Sequence, residues 1–355
     1  MSTTGGLSRH TGSARLLWLY GLKELNIMNS SKKRFGSIAE AWRTWNRGQR
    51  TNFCVAVLAI MLLLVICLAV PTFRQINNIA NIFEQLTTLG FLTLSMTLVL
   101  IVGGIDLSLP NVLASAAVVG ATYLAKGGSA IVGCLIMLGI SLIFGIVNGL
   151  AVAKGNMIPF IVTLSTMSVA EGFAVQYCNA TSINGLPESF LKIGAKLGIL
   201  PVSVIIFLII AVIAALFLTK TRFGRWYYMI GTNEETARIC GIPIVGVKFS
   251  AYVISSLLAG IAAIILTARL NAATSSMVGD TMTTDAISAA IIGGASLSGG
   301  KGGMAGAVVG ALFITIISNV LNLLGISYYI GMIIKGCIIA LVIAIDVIRS
   351  SGLTR

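Results

Sequence analysis

Few residues in this chain are equipped for covalent chemistry. Those that stand out are suited to holding polar groups inside an apolar medium. The segment Gly103-Gly104-Ile105-Asp106-Leu107-Ser108 sets a carboxylate and a hydroxyl directly after two glycines. The glycines loosen a helix, and Asp106 or Ser108 can cap the next one, whose first turn accepts Pro110. An ionisable group at the edge of an apolar run is costly to bury and needs a partner, so Asp106 reads both as an interfacial cap and as a functional candidate. Asn148, Asn156, Thr163, Gln176, Asn319, Asn322 and Lys335 also lie within apolar runs. Amides there commonly bond neighbouring helices. Lys335 needs a counter-ion, with Asp285 and Asp106 as the candidates. Glu171 falls near one end of its run, where an interfacial anchor is the default reading. His10 is the sole histidine and lies in a basic tail, which excludes Ser-His-Asp, Cys-His and His-ligated zinc chemistry. Six cysteines, at 54, 67, 134, 178, 240 and 337, show no CxxC spacing and read as packing residues.

The segment 220–248, KTRFGRWYYMIGTNEETARICGIPIVGVK, is the longest polar connection after the N-terminal tail. Thr232 or Asn233 can cap a short helix with Glu234 and Glu235 in its first turn and Arg238 near its end, each favourable to the helix dipole. Gly241 and Pro243 stop it. By composition it reads as a solvated connector; as a short capped helix it would make a docking knob. Residues 295–302 only imitate a phosphate loop: Ala295 replaces the leading Gly, and Gly302 the Ser or Thr that would hold magnesium. Gly300 to Ala305 fits GxGxxA but joins two apolar runs rather than a strand and a helix.

The elements that must position these residues are membrane spans. The 355-residue chain is 57% hydrophobic and 10% charged, against roughly 25% charged in a soluble domain. Apolar runs place spans over about 53–70, 86–104, 109–125, 129–153, 157–178, 199–219, 249–268, 284–298, 303–324 and 328–346. Residues 77–85 are amphipathic and can extend the second. The expected fold is all-α: about ten transmembrane helices with broken Gly-rich segments and both termini cytoplasmic. It divides into a basic tail over 1–50, a permease-like domain over 51–348 and a short tail over 349–355. Residues 1–50 hold nine Lys or Arg against two acidic residues, which places them inside. The net charge of +13 flanks apolar runs and points to topology and anionic lipid rather than nucleic acid.

An internal echo is present. Residues 101–121 align without gaps to 291–311, with ten of 21 positions identical, including Gly103-Gly104 against Gly293-Gly294. Paired Gly-interrupted helices at matching positions point to a transport site.

With those residues laid out, LVLIVGGIDLSLPNVLA (98–114), NGLAVAKGNMIPFIVTLSTM (148–167), GTNEETARICGIPIVGVK (231–248) and DAISAAIIGGASLSGGKGG (285–303) together resemble the inner-membrane permease subunit of bacterial sugar ATP-binding-cassette importers, the ribose/galactose/xylose type. The resemblance runs from about residue 50 to 348. It implies a second permease copy or paralogue completing one path, a periplasmic sugar-binding protein, a monosaccharide cargo, and cytoplasmic ATPase subunits that carry ATP and magnesium while this chain binds no cofactor. It makes 232–240 a coupling helix, with Gly231, Thr232, Asn233, Glu234, Glu235, Ala237, Arg238 and Gly241 facing the ATPase. Gly103, Gly104, Asp106, Ser108, Asn148, Asn156, Phe160, Thr163, Gly293 and Gly294 would form the path and its gates. The rival reading is an ion-coupled secondary transporter of a small polar solute; the scarcity of intramembrane carboxylates argues against it.

Overall fold

The computed structural model describes residues 71–351 apart from 199 and 280. The tail over 1–50 and the span expected over 53–70 lie outside the described residues. Apolar runs punctuated by glycine and proline fold as α1 (Ile76–Ile101), α2 (Leu109–Ala125), α3 (Ala130–Ala153), α4 (Pro159–Cys178), the short α5 (Glu188–Leu191), α6 (Val202–Lys220), α7 (Arg222–Thr232), α8 (Glu234–Ile239), α9 (Ile244–Leu270), α10 (Met282–Ile292), α11 (Met304–Leu323) and α12 (Tyr328–Ser351). Among the described residues, α1, α3, α6, α9 and α11 are long and apolar enough to cross a membrane. The fold is that of a polytopic helical membrane protein.

Of these five helices the least apolar is the most buried. The most apolar helix, α6, has a mean hydropathy of 3.1 and is 33% buried, whereas α1 has 1.4 and is 89% buried. Lipid is as apolar as leucine, so an apolar surface is content outside while the helix carrying hydroxyls belongs at the centre. Helices α6, α9, α10 and α11 pack around α1. Its interior hydroxyls turn back on the helix: Thr93 Oγ1 donates to the Leu89 carbonyl (2.7 Å), Ser95 Oγ to Phe91 (2.8 Å) and Thr97 Oγ1 to Thr93 (2.7 Å). Asn78 on α1 and Asn319 on α11 exchange side-chain amide bonds of 3.1 and 2.8 Å, the interhelical role expected of Asn319. Small residues bring backbones together. Gly145 and Gly149 of α3 face Ser256 and Phe249 of α9, and Gly306 and Gly310 of α11 abut the backbone of α10.

At the end remote from the 220–248 loop, β1 (Ile183–Asn184) pairs antiparallel with β4 (Ala272–Ala273), Ile183 opposite Ala273. A small hairpin, β2 (Lys196–Leu197) with β3 (Leu200–Pro201), lies between α5 and α6. Residues 77–85 extend the second expected span, as their amphipathic pattern allows, and α1 starts at Ile76. One boundary departs from the sequence reading. The segment 284–298 forms only the 11-residue α10, about 16 Å at 1.5 Å per residue, so that helix alone falls well short of a ~30 Å hydrocarbon core.

Candidate functional site

Both halves of the internal echo end a helix by the same device. At the end of α1, Gly103 takes φ +82°, its amide donates to the Leu100 carbonyl and that of Gly104 to Val99, both at 2.9 Å. At the end of α10, Gly294 takes φ +92°, with Gly294 N donating to Ile291 (2.8 Å) and Ala295 N to Ala290 (2.9 Å). This is the pattern by which a left-handed glycine closes a helix C-terminus. The second break falls one residue later than the ungapped alignment places it, at Gly294 rather than Gly293. Its return to the next helix covers 293–303 against 102–108 for the first, so the matching Ala-Val-Val-Gly-Ala stretches occupy different helical positions.

Beyond the first break, Asp106 is fully buried. Its Oδ1 accepts from Ser108 N (3.0 Å) and Ser108 Oγ (2.6 Å), and Ser108 Oγ accepts from Asn148 Nδ2 (3.0 Å). Neither Asp106 nor Ser108 caps α2 through its side chain; Asp106 instead closes a turn on Ser108, two residues on. Asp106 Oδ2 and Asn148 Oδ1 are buried without a hydrogen-bond partner. Thr163 Oγ1 lies 2.9 Å from the Pro159 carbonyl and 3.3 Å from that of Ile105, and the Tyr252 hydroxyl reaches the same Ile105 oxygen at 3.5 Å. Lys335 does not join this network. Its Nζ binds Asp285 Oδ2 at 2.8 Å, joining α12 to α10.

The loop is ordered by its caps. Thr221 Oγ1 accepts from Gly224 N (3.0 Å) at the start of α7, and Asn233 Oδ1 accepts from Thr236 N (2.8 Å) at the start of α8. Gly241, at φ +75°, ends α8, its amide bonding Arg238 and that of Ile242 bonding Ala237. Ala237 is buried, whereas Glu235, Arg238 and Ile239 project outward, Ile239 being 80% exposed. Lys248 Nζ holds Glu234 at 2.6 Å, and Arg238 stands 3.7 Å from both Glu234 and Glu235. Behind α7, Tyr227 shares a hydrogen bond with Ser250 Oγ at 2.9 Å, and burial pushes its phenol up to about 12.

The loop meets both breaks, through the Gly231 backbone and the Tyr228 hydroxyl. Gly300 N donates to the Ile101 carbonyl at 2.9 Å, and the Tyr228 hydroxyl donates to that of Gly302 at 2.9 Å. A Cβ on Gly231 would overlap the Ile101 carbonyl oxygen and the Gly300 amide. One on Gly299 would stand 2.6 Å from the Gly231 oxygen and 3.0 Å from Gly103 Cα. Three glycine-bearing segments are thus in van der Waals contact without a side chain between them. Among the described residues no group of three or more metal-ligating side chains occurs.

Residues 78–343 match the family described as branched-chain amino acid transport system / permease component. The chain belongs to this permease family. The ribose import permease of Bacillus subtilis is 36% identical over 81% of this chain and 89% of its own length. The D-allose transport system permease of Escherichia coli is 34% identical over 82% and 89%, and that organism's galactose/methyl galactoside import permease is 30% identical over 83% and 94%. No solved structure matches the chain.

The chain is therefore the permease subunit of an ATP-binding-cassette importer of the ribose/galactose type, a multi-pass protein of the inner membrane. It is not itself an enzyme, since in such importers a separate ATPase subunit hydrolyses ATP and a substrate-binding protein works alongside. In this permease Gly103, Gly104, Asp106, Ser108, Asn148 and Thr163 come together at the first break. Gly293 and Gly294 form the second, which reaches the first through residues 299–302. Asn156 stands apart from Asn148 and Thr163: exposed at φ +50°, it lines a groove of ≈ 390 Å³ beside Glu234 and Arg238. Phe160 is half exposed on α4. Gly231 packs inward against Ile101 and Gly300. Sequence reasoning missed Tyr228, Tyr252 and the tertiary use of Gly299 to Gly302. The glycine density of 299–303 is the available signal in the sequence.

Proposed function

We propose that this permease forms half of a monosaccharide path and works by alternating access. The relatives reported above are named for ribose, D-allose and galactose or methyl galactoside, and a polyhydroxylated sugar of that class is the proposed cargo. A second permease, copy or paralogue, completes the path. A periplasmic binding protein delivers the sugar, and cytoplasmic ATPase subunits carry ATP and magnesium, with no cofactor on this chain. In this reading the membrane domain over 51–348 has ten spans, α10 and the return over 293–303 together making the eighth, with the tails over 1–50 and 349–355 both cytoplasmic, a topology supported by the basic residues gathered at 1–50 and 220–248.

In this reading α8 is the coupling helix. Thr232, Asn233, Glu234, Glu235, Ala237, Arg238 and Gly241 shape and present it to a groove of the ATPase, and Asn156 borders the same surface. The observation that carries the mechanism is the contact of Gly231 with Ile101 and Gly300. A displacement of α8 reaches both helix breaks within two residues of Asn233, without passing through a flexible side chain. ATP state then biases the gates at Gly103-Gly104 and Gly293-Gly294 between two arrangements, as directional transport requires. Asp106, Ser108, Asn148 and Thr163 set the geometry of the first gate, and Phe160 borders the path.

The test is Glu235→Lys combined with Arg238→Glu. Both side chains are largely exposed; the swap keeps their mutual pairing but gives up the Arg238–Glu234 contact and the favourable placement in the helix dipole, so the cost is about 1–2 kcal/mol. The variant is expected to insert and to lose cargo-stimulated ATP hydrolysis in reconstituted importer. Unchanged stimulation counts against the coupling role.

A further inference from the structure

Helix α4 differs from the other long helices. At 20 residues it is long enough to cross, about 30 Å at 1.5 Å per residue, yet it is not among the five described helices apolar enough to do so. Its buried residues, Val162, Thr163, Ala170, Ala174 and Cys178, are confined to part of its circumference, and its helical partners are α2 and α3. Ser165, Ser168, Glu171 and Gln176 are all exposed. At 100° per residue these four fall within an arc of about 140°, which they share with the exposed Ile161, Leu164 and Val175. Helix α6 gives the contrast: between Ile205 and Leu216 its exposed side chains are all isoleucine, leucine or valine, as a lipid-facing surface requires.

Glu171 sits seven residues inside the Cys178 end of α4, about 10 Å along the axis. A carboxylate at that depth does not face hydrocarbon; intramembrane ionisable groups face a bundle interior or a water-filled cavity. Among the described residues no lysine or arginine pairs with it. Its Oε2 accepts from Asn111 Nδ2 at 3.3 Å, and the same amide nitrogen lies 3.3 Å from the Met167 carbonyl. Asn111 is on α2, three residues after Ser108, so this pair adjoins the first gate. Ser115 Oγ donates to the Ala170 carbonyl at 2.7 Å and fixes the register of α2 against α4.

We propose that this flank of α4 lines the translocation path and that Glu171, with Asn111, is a transit site for the hydroxyls of a polyhydroxylated solute. The carboxylate has lone pairs to spare and accepts from cargo hydroxyls, while the amide, held by long bonds that exchange readily, supplies a donor for a cargo oxygen. Ser165 and Ser168 donate to the Ile161 and Leu164 carbonyls (2.8 and 3.4 Å), which leaves their oxygens as weak acceptors along the same flank. The opposite wall is a second copy of this chain, because the flank is uncovered in a single chain and its charge is unsuited to lipid. The proposal deepens the importer reading and rests on it.

Two measurements on the complete importer in proteoliposomes test the proposal. In a cysteine-free background, Ser168→Cys reacts with a charged, membrane-impermeant thiol reagent at least tenfold faster than Val212→Cys on α6. Equal rates overturn the path assignment, whatever the importer carries. With radiolabelled D-ribose, D-allose and D-galactose as probes, Glu171→Gln lowers ATP-driven uptake at least tenfold at a wild-type melting temperature, and Glu171→Asp recovers part of it. Wild-type uptake by Glu171→Gln overturns the transit site. Wild-type vesicles that accumulate none of the three sugars refute the monosaccharide reading instead, and the labelling rates still decide the α4 flank.

Discussion

Gly231→Ala tests the link between loop and gates at its narrowest point. The new methyl would overlap the Ile101 carbonyl oxygen and the Gly300 amide, the two ends of a 2.9 Å hydrogen bond. Neither neighbour is a side chain that can swing aside. Losing that bond costs about 1 kcal/mol net, and forcing a methyl between backbones a further ~1–3 kcal/mol. Gly231 lies in the last turn of α7, so alanine returns at most about 1 kcal/mol of helix propensity. The balance, about 1–3 kcal/mol, disfavours the packed contact roughly 5- to 150-fold. The assay is the ratio of sugar accumulated to ATP hydrolysed in reconstituted importer, with a melting temperature for each variant. Gly139→Ala serves as control, since a Cβ there meets nothing within 4 Å and the position is helical. Gly231→Ala is expected to insert and assemble but to hydrolyse ATP with little transport, while Gly139→Ala behaves as wild type. Wild-type coupling and melting in Gly231→Ala would refute the idea that this contact transmits movement.

The remaining predictions concern stability. Lys335→Leu strands Asp285, 5% exposed, and should destabilise by about 3–5 kcal/mol, most of it recovered in Lys335→Leu with Asp285→Leu; thermal unfolding in detergent checks both. Ser108→Ala removes the hydroxyl that Asp106 and Asn148 share and should cost about 1–3 kcal/mol by leaving buried polar groups unpaired; an unchanged melting temperature contradicts that role. Asn319→Leu leaves Asn78 without its reciprocal amide and should cost about 0.6–1.7 kcal/mol, read as a shift of the same transition.

The spans and the caps were legible in the sequence because both depend on local properties. Apolar runs placed α2, α3, α4, α6, α9 and α11 to within a few residues, and Asn233, Gly241 and Pro243 marked α8. Pairing needs distance information that one chain's pattern lacks. Asp285 and Asp106 were equal candidates for Lys335 until the fold placed one beside it. Asn148 and Asn156 look alike as amides in an apolar context, but Asn156 follows the end of α3 and turns outward at positive φ. Run length gives the position of Glu171 along α4 but not what stands beside it, here Asn111 on α2. The Gly231 contact was invisible for a related reason: a glycine's role in close approach is decided by what lies opposite it, here Ile101 and Gly300, 130 and 69 residues away.

The central position of α1 bears on biogenesis. The helix made earliest among those described is the least apolar of the five spanning candidates, yet its neighbours α9, α10 and α11 come from the distal part of the chain. An insertion machinery that releases segments by hydrophobicity has weak grounds for releasing this one into lipid before those neighbours emerge. The nascent protein must therefore shelter a hydroxyl-bearing core strut until synthesis is nearly complete. Truncations that remove α9 onward should be recognised by quality-control proteases even though most of their own spans are intact.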